Sequence, residues 1–201
     1  MRTHVLLAAL VGAALQVGAA GALELGAAMP SRDVKMKNVN GQTLSLAGAG
    51  GEKGTLVVFS CNHCPYVKAW EERITALGNE YLRKGIGVVA VNSNDAAEYP
   101  DDDLPAMQAR ARERGFEFPY VVDATSNVAR AFGATKTPEA FLFDAAGRLV
   151  YHGTIDDNAQ DPAKVGKRYL RDALEDLLAG REVAVKETKA LGCSIKFRPA
   201  A

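Results

Sequence analysis

Two cysteines separated by two residues, Cys61-Asn62-His63-Cys64, carry the most specific chemistry in the sequence. At this spacing two thiols can close a small-ring disulfide. A helix beginning at the second would set its free N–H groups and dipole beneath an exposed first sulfur. Such placement lowers a thiol pKa from ~8.5 to between ~3.5 and 7.5. Cys61 then reads as the attacking thiolate, Cys64 as the resolving partner, and His63 as a group that favours the thiolate. The chemistry is thiol–disulfide exchange, with no organic cofactor. A purely structural bond is a weaker reading, because so short a ring removes little unfolded-state entropy. Copper or zinc binding is the better rival, since Cys61, His63, Cys64 and distant Cys193 are suitable donors. Against it, no second close pair exists, and neither His4 nor His152 has a matching partner.

Cys193 stands apart, in a Gly-flanked tail that begins at Arg181 and is able to fold back. It could resolve a mixed disulfide or an oxidised Cys61, complete a metal set, or be an idle thiol.

The elements that must position the pair are legible. Thr55 to Phe59 is a continuous apolar, β-branched run, expected of a strand buried on both faces. Pro65 suits the first turn of a helix. Val67, Trp70, Ile74, Leu77 and Tyr81 then mark one buried stripe, up to Gly85. Ile86 to Val91 is the next buried strand, which implies a parallel crossover. Ahead of this unit, Asn40-Gly41 turns a small hairpin, and Gly48 to Gly51 reads as a loose loop. After it, Asp101, Asp102 and Asp103 could hold a metal, but with no second ligand cluster beside them they read as a solvated loop whose carboxylates cap a helix starting near Leu104 and running to Arg114. A short strand at Tyr120 to Asp123 and a helix from about Ser126 to Phe132 follow. Strands Ala140 to Phe143 and Arg148 to Tyr151 form a hairpin, and Val165 to Leu178 marks a last helix. The expected architecture is α/β, a central mixed sheet with helices on both faces and an N-terminal hairpin. His152, Trp70 and Tyr66 read as core or pocket wall.

Composition sets the context. In 201 residues, 48% are hydrophobic, and 24 basic residues balance 24 acidic ones, so no field points to nucleic acid or an anionic membrane. Arg2 and His4, an apolar run from Val5 to Val17, and Ala20-Gly21-Ala22 form the pattern of a secretory signal. The run falls short of the ~18–20 residues of a bilayer span. Residues 1–22 are therefore expected to be removed, leaving one domain over 23–201 without a membrane span, in a periplasmic or extracellular setting where disulfides persist.

Cys61-x-x-Cys64-Pro65, Phe118 to Asp123, Phe132-Gly133-Ala134 and Thr137 to Leu142 make the chain similar to the thioredoxin-like superfamily, in its redoxin or AhpC/TSA branch. The similarity covers roughly Gly26 to Leu178. The Cys-Asn-His-Cys-Pro-Tyr and Gly192 to Lys196 segments resemble a peroxiredoxin-like subgroup. The resemblance implies that Pro138 is a cis-proline facing the cysteines and that Thr137 presents backbone to a bound substrate strand. It also implies thiol or disulfide partners, protein or small molecule, and an unidentified thiol donor or acceptor. Three departures stand out. Ser60 replaces the usual Trp before the first cysteine, and Thr55 stands where thioredoxins often bury an acid. Relative to the peroxiredoxin pattern ending at Cys64, Val57 and Cys61 replace the usual Pro and Thr/Ser, and Arg130 is the one candidate to activate a peroxide. Thiol peroxidase is thus the alternative activity, metal carriage the alternative role.

Overall fold

A computed structural model describes residues 23–199; the expected signal segment, residues 1–22, lies outside them. The hairpin forms as expected: β1 (Met36–Asn38) pairs antiparallel with β2 (Thr43–Leu44) across a turn in which Gly41 takes φ 86°. The apolar run becomes β3 (Gly54–Phe59), buried at every position, and leads to α1 (Pro65–Arg83) and β4 (Ile86–Asn92). All five residues of the anticipated α1 stripe are buried. Downstream come α2 (Leu104–Arg114), β5 (Tyr120–Val122), α3 (Asn127–Phe132), β6 (Lys136–Thr137), β7 (Glu139–Asp144), β8 (Leu149–Gly153), α4 (Tyr169–Leu178) and β9 (Cys193–Ser194).

Two ladders, β2-β1-β5-β4 and β3-β7-β8, make the sheet. They meet where β3 runs parallel beside β4, with Lys53 N–H donating to Gly85 O (3.1 Å) and Ser60 N–H to Val91 O (2.9 Å). The β4–β5 pair is parallel, whereas β3–β7 and β7–β8 are antiparallel, so the sheet is mixed. Alternation splits each central strand between two cores. Leu56 and Val58 join Val88, Trp70, Tyr81, Met107 and Leu174 beneath α1, α2 and α4. Val57 and Phe59 join Val91, Phe132, Phe141 and Phe143 on the α3 side. Helices therefore flank both faces, as expected for an α/β architecture. Among the described residues, no helix is long and apolar enough to cross a membrane.

Two local expectations change. The last helix starts at Tyr169, not Val165: Pro162–Lys164 is a short 3-10 turn capped by Asp161, after which Val165 is extended (φ −67°, ψ 112°). The Gly48 to Gly51 segment is tightly packed instead of loose, because it lies directly against β4. A Cβ on Gly87 would sit 2.3 Å from Ala49 O and 2.4 Å from Gly51 N, both backbone atoms. Gly87→Ala is accordingly expected to destabilise the protein by about 3 kcal/mol, the upper range of overpacking, in urea unfolding. A midpoint unchanged from wild type would show that this approach has room to relax.

Candidate active site

The Cys61–Cys64 segment bridges β3 and α1. Ser60 is still held to β4, and Cys64 is the N-cap of α1, with extended backbone (φ −65°, ψ 124°) and Pro65 following. This junction brings both sulfurs to one residue. Cys61 Sγ lies 3.3 Å from Thr137 Oγ1, and the Cys64 thiol donates to Thr137 O at 3.2 Å. The Thr137–Pro138 peptide bond is cis. All three cysteines are unbonded thiols.

The structure corrects the expectation of an exposed first sulfur. Cys61 is 2% exposed and Cys64 0%. Cys193 packs against them. The tail does fold back: β9 pairs antiparallel with β6, setting Lys136 opposite Ser194 and Thr137 opposite Cys193. The Thr137 edge, expected to receive a substrate strand, is therefore occupied by the protein's own tail. Gly192 permits this approach, since a Cβ there would meet Thr137 O at 2.2 Å. Cys193 remains partly exposed.

The two buried thiols titrate as one system. The Cys64 contact, burial and the facing Asp102 charge all push Cys61 well above the ordinary thiol range. Cys64 moves the other way, chiefly through the Cys61 thiol, with help from the Cys193 thiol and the Val67 N–H at the start of α1. Burial, and then the Cys64 sulfur, raise Cys193, while the Tyr66 N–H and the Lys196 charge ease its ionisation. The Cys61 thiol, more than the helix terminus, thus favours charge on the second sulfur, where the spacing alone had pointed to the first.

Asp102 is the site residue that sequence reasoning missed. The expected cap is Asp103, whose carboxylate accepts from Ala106 N–H at 2.7 Å. Asp102, in a 3-10 turn Pro100–Asp102, is 2% exposed and faces the cysteine loop. It accepts from Asn62 N–H (2.6 Å) and from Asn94 Nδ2 (2.8 Å), and it meets His63 Nδ1 at 2.5 Å. Asn62 in turn donates to Asp101 O (2.8 Å) and accepts from the Tyr120 hydroxyl (3.1 Å). A buried carboxylate therefore does face Cys61, but from the segment before α2 instead of from position 55. His63 is committed to Asp102 and stacked on Tyr99, with ring centroids 4.9 Å apart, so it bears on the sulfurs through that carboxylate. Cys61, His63 and Asp102 each offer a donor atom, all within 4.8 Å of one another. The mixed sulfur, nitrogen and oxygen set suits zinc.

The remaining candidates separate clearly. Trp70 is core, its indole N–H donating to Asp156 at 2.7 Å, whereas Tyr66 is exposed at the surface. His152 lies behind the cis-proline, where Nε2 meets Glu139 Oε1 at 2.7 Å. Glu139 also accepts the Thr135 and Lys136 N–H groups (both 2.8 Å), which fixes the chain entering Thr137. Arg130 is tied to Thr125 O, Asn127 and Arg198 O, in the tail anchor and not at a sulfur.

Comparison with known proteins places these features in context. The AhpC/TSA family model matches residues 25–152. A crystal structure of an uncharacterized conserved protein from Geobacillus kaustophilus is 39% identical, with a TM-score of 0.83 over 89% of this chain and 94% of that one. A thioredoxin-like protein solved in its oxidized form has a TM-score of 0.62 at 24% identity, over 80% of this chain and 100% of its own. The thiol–disulfide oxidoreductase ResA of Halalkalibacterium halodurans is 27% identical over 115 residues, which are 57% of this chain and 61% of that relative's length.

Proposed function

Because the chain belongs to the AhpC/TSA family and has a thioredoxin-like fold, we propose that it is an exported thiol–disulfide oxidoreductase cycling Cys61 and Cys64 between dithiol and disulfide. The observation that carries the reading is the convergence of both sulfurs on Thr137, beside cis-Pro138, at the start of α1. Cys64 takes up the mixed disulfide, and Cys61 resolves it. In the reducing direction a substrate disulfide becomes two thiols while the pair loses two protons and two electrons to form Cys61–Cys64; oxidation of a substrate reverses each step. Asp102 and His63 hold the loop that carries Cys61, and Thr137 with Pro138 forms the wall against which both sulfurs lie. Partners are thiols or disulfides, protein or small molecule. Export follows from the signal pattern, with Leu23 as the first mature residue, which intact-mass measurement of the exported chain checks.

The test sets disulfide against hydroperoxide. The reduced chain is expected to consume glutathione disulfide faster than hydrogen peroxide, since no arginine is placed at either sulfur among the described residues. Faster consumption of peroxide would establish the peroxidase alternative. One observation favours a second reading, carriage of zinc or copper: the Cys61, His63 and Asp102 donors lie within reach of one ion. A stoichiometric ion on the purified chain, lost in Cys61→Ser, would establish it; the redox reading expects metal far below one ion per chain.

A further inference from the structure

We propose that Cys193 is the outward-facing sulfur of a three-cysteine relay, in which Cys64 exchanges its disulfide partner between Cys193 and Cys61. This deepens, and rests on, the reading of Cys61 and Cys64 as an exchanging pair. Disulfide exchange requires a sulfur to approach another along the S–S axis, so a thiolate sealed from solvent cannot attack a macromolecular disulfide. Cys61 and Cys64 are sealed, and Cys193 is the one thiol with solvent access. The geometry also places it for handover. Cys193 is paired opposite Thr137, the residue that both buried sulfurs touch, and it packs on the pair itself.

The alternative, that the tail swings away to admit substrate, meets a dense anchor. Ile195 N–H donates to Thr135 O (2.9 Å), Lys196 N–H to Asn94 Oδ1 (2.7 Å) and Asp95 N–H to Lys196 O (2.7 Å). Arg198 adds bonds to Ser126 Oγ (3.0 Å) and Asp123 O (2.8 Å). On the other side of Cys193, Thr188 N–H donates to His152 O (3.0 Å), and the Thr188 hydroxyl meets Tyr151 at 2.9 Å. Gly192 lies so close to Thr137 O that no side chain fits between tail and cis-proline segment. The tail is built to stay, with Cys193 held where a substrate sulfur would otherwise come.

The steps balance. The Cys193 thiolate attacks an external disulfide and releases one thiolate, forming a mixed disulfide. Cys64 attacks the Cys193 sulfur, expels the second external thiolate and forms Cys64–Cys193. Cys61 attacks the Cys64 sulfur while its proton passes to the departing Cys193 sulfur, which returns as a thiol with access to solvent. Two thiols of the chain are oxidised and one external disulfide is reduced to two thiols. Run backwards, the same steps oxidise an external dithiol.

Rapid mixing of the reduced full mature chain with insulin, as a protein disulfide, tests the relay. Cys193→Ser is expected to slow insulin reduction by at least about 100-fold, while still reaching the Cys61–Cys64 disulfide when equilibrated with glutathione. In Cys61→Ser, glutathione disulfide is expected to drive accumulation of the Cys64–Cys193 bond, read by peptide mass spectrometry. In the unsubstituted reduced chain, brief iodoacetamide treatment is expected to label Cys193 first. Insulin reduction by Cys193→Ser at the wild-type rate, a Cys64–glutathione adduct beside free Cys193, or first labelling at Cys61 or Cys64 each overturns the relay and leaves the exchanging pair standing. A wild-type chain that never forms Cys61–Cys64 overturns both.

Discussion

Cys64→Ser is expected to abolish release of the second thiol from an external disulfide, by more than about 1,000-fold, whereas Cys61→Ser is expected to release both thiols once and then stop. The asymmetry follows from where the donors lie. Cys64 is the sulfur that the Cys61 thiol, the Cys193 thiol and the Val67 N–H all favour as a thiolate. A hydroxyl in its place is a far poorer nucleophile and cannot enter a disulfide. Cys61 is held as a thiol by Cys64, by burial and by the Asp102 charge, so it acts last. Its loss removes the closing step and leaves oxidised intermediates to accumulate. Both variants remove a sulfur from a buried position, so each is to be compared with wild type in urea unfolding to show that the fold persists. Single-turnover release of both glutathione thiols from glutathione disulfide makes the measurement. Equal loss of the first turnover in both variants would contradict the assignment of Cys64 as the sulfur that takes up the mixed disulfide.

Asp102 is expected to give the second large effect, and its two substitutions separate two roles. Asp102→Ala leaves the Asn62 N–H, Asn94 Nδ2 and His63 Nδ1 without their acceptor inside the protein. Removing one partner from such a buried set costs about 3–5 kcal/mol, measurable by denaturant unfolding. Asp102→Asn keeps the volume and one acceptor oxygen but removes the charge. A negative charge beside Cys61 disfavours its thiolate, so neutralising it is expected to move Cys61 ionisation down toward the ordinary thiol range. Thiolate absorbance of the reduced protein against pH reads that shift directly. An unchanged titration in Asp102→Asn would show that the carboxylate only braces the loop.

The sequence was most informative where pattern and burial coincide. Val67, Trp70, Ile74, Leu77 and Tyr81 repeat with helical period, and all are buried. Asn40-Gly41 encodes its own turn, and Thr55 to Phe59 is apolar because both of its faces are covered. Asp102 carried no such signal. It stands in a run of three acids before a helix, where capping is the ordinary local explanation, and that explanation holds for Asp103. What distinguishes Asp102 is the cysteine loop packed onto it from 39 and 40 residues away, a tertiary fact with no local trace. The tail was similarly hidden. A ladder as short as β6–β9 has no periodicity to read, and only Gly192 hints that another backbone must come close. With the tail unplaced, Cys61 looked like the accessible sulfur, and covering it moved solvent access to Cys193. The Glu139–His152 pair was invisible for the same reason, since β7 and β8 bring the two residues together across a hairpin.

The central claim is that Cys61 and Cys64 form a reversible two-electron couple, and the most direct measurement is its reduction potential on metal-free mature protein in glutathione buffers. The account predicts a single Cys61–Cys64 disulfide by peptide mapping. Because the Cys64 thiolate is stabilised in the reduced form, the potential is expected above the ~−270 mV of thioredoxin, toward the ~−120 mV of strongly oxidising pairs. A chain that forms no intramolecular disulfide between these two cysteines anywhere in that range would contradict the account.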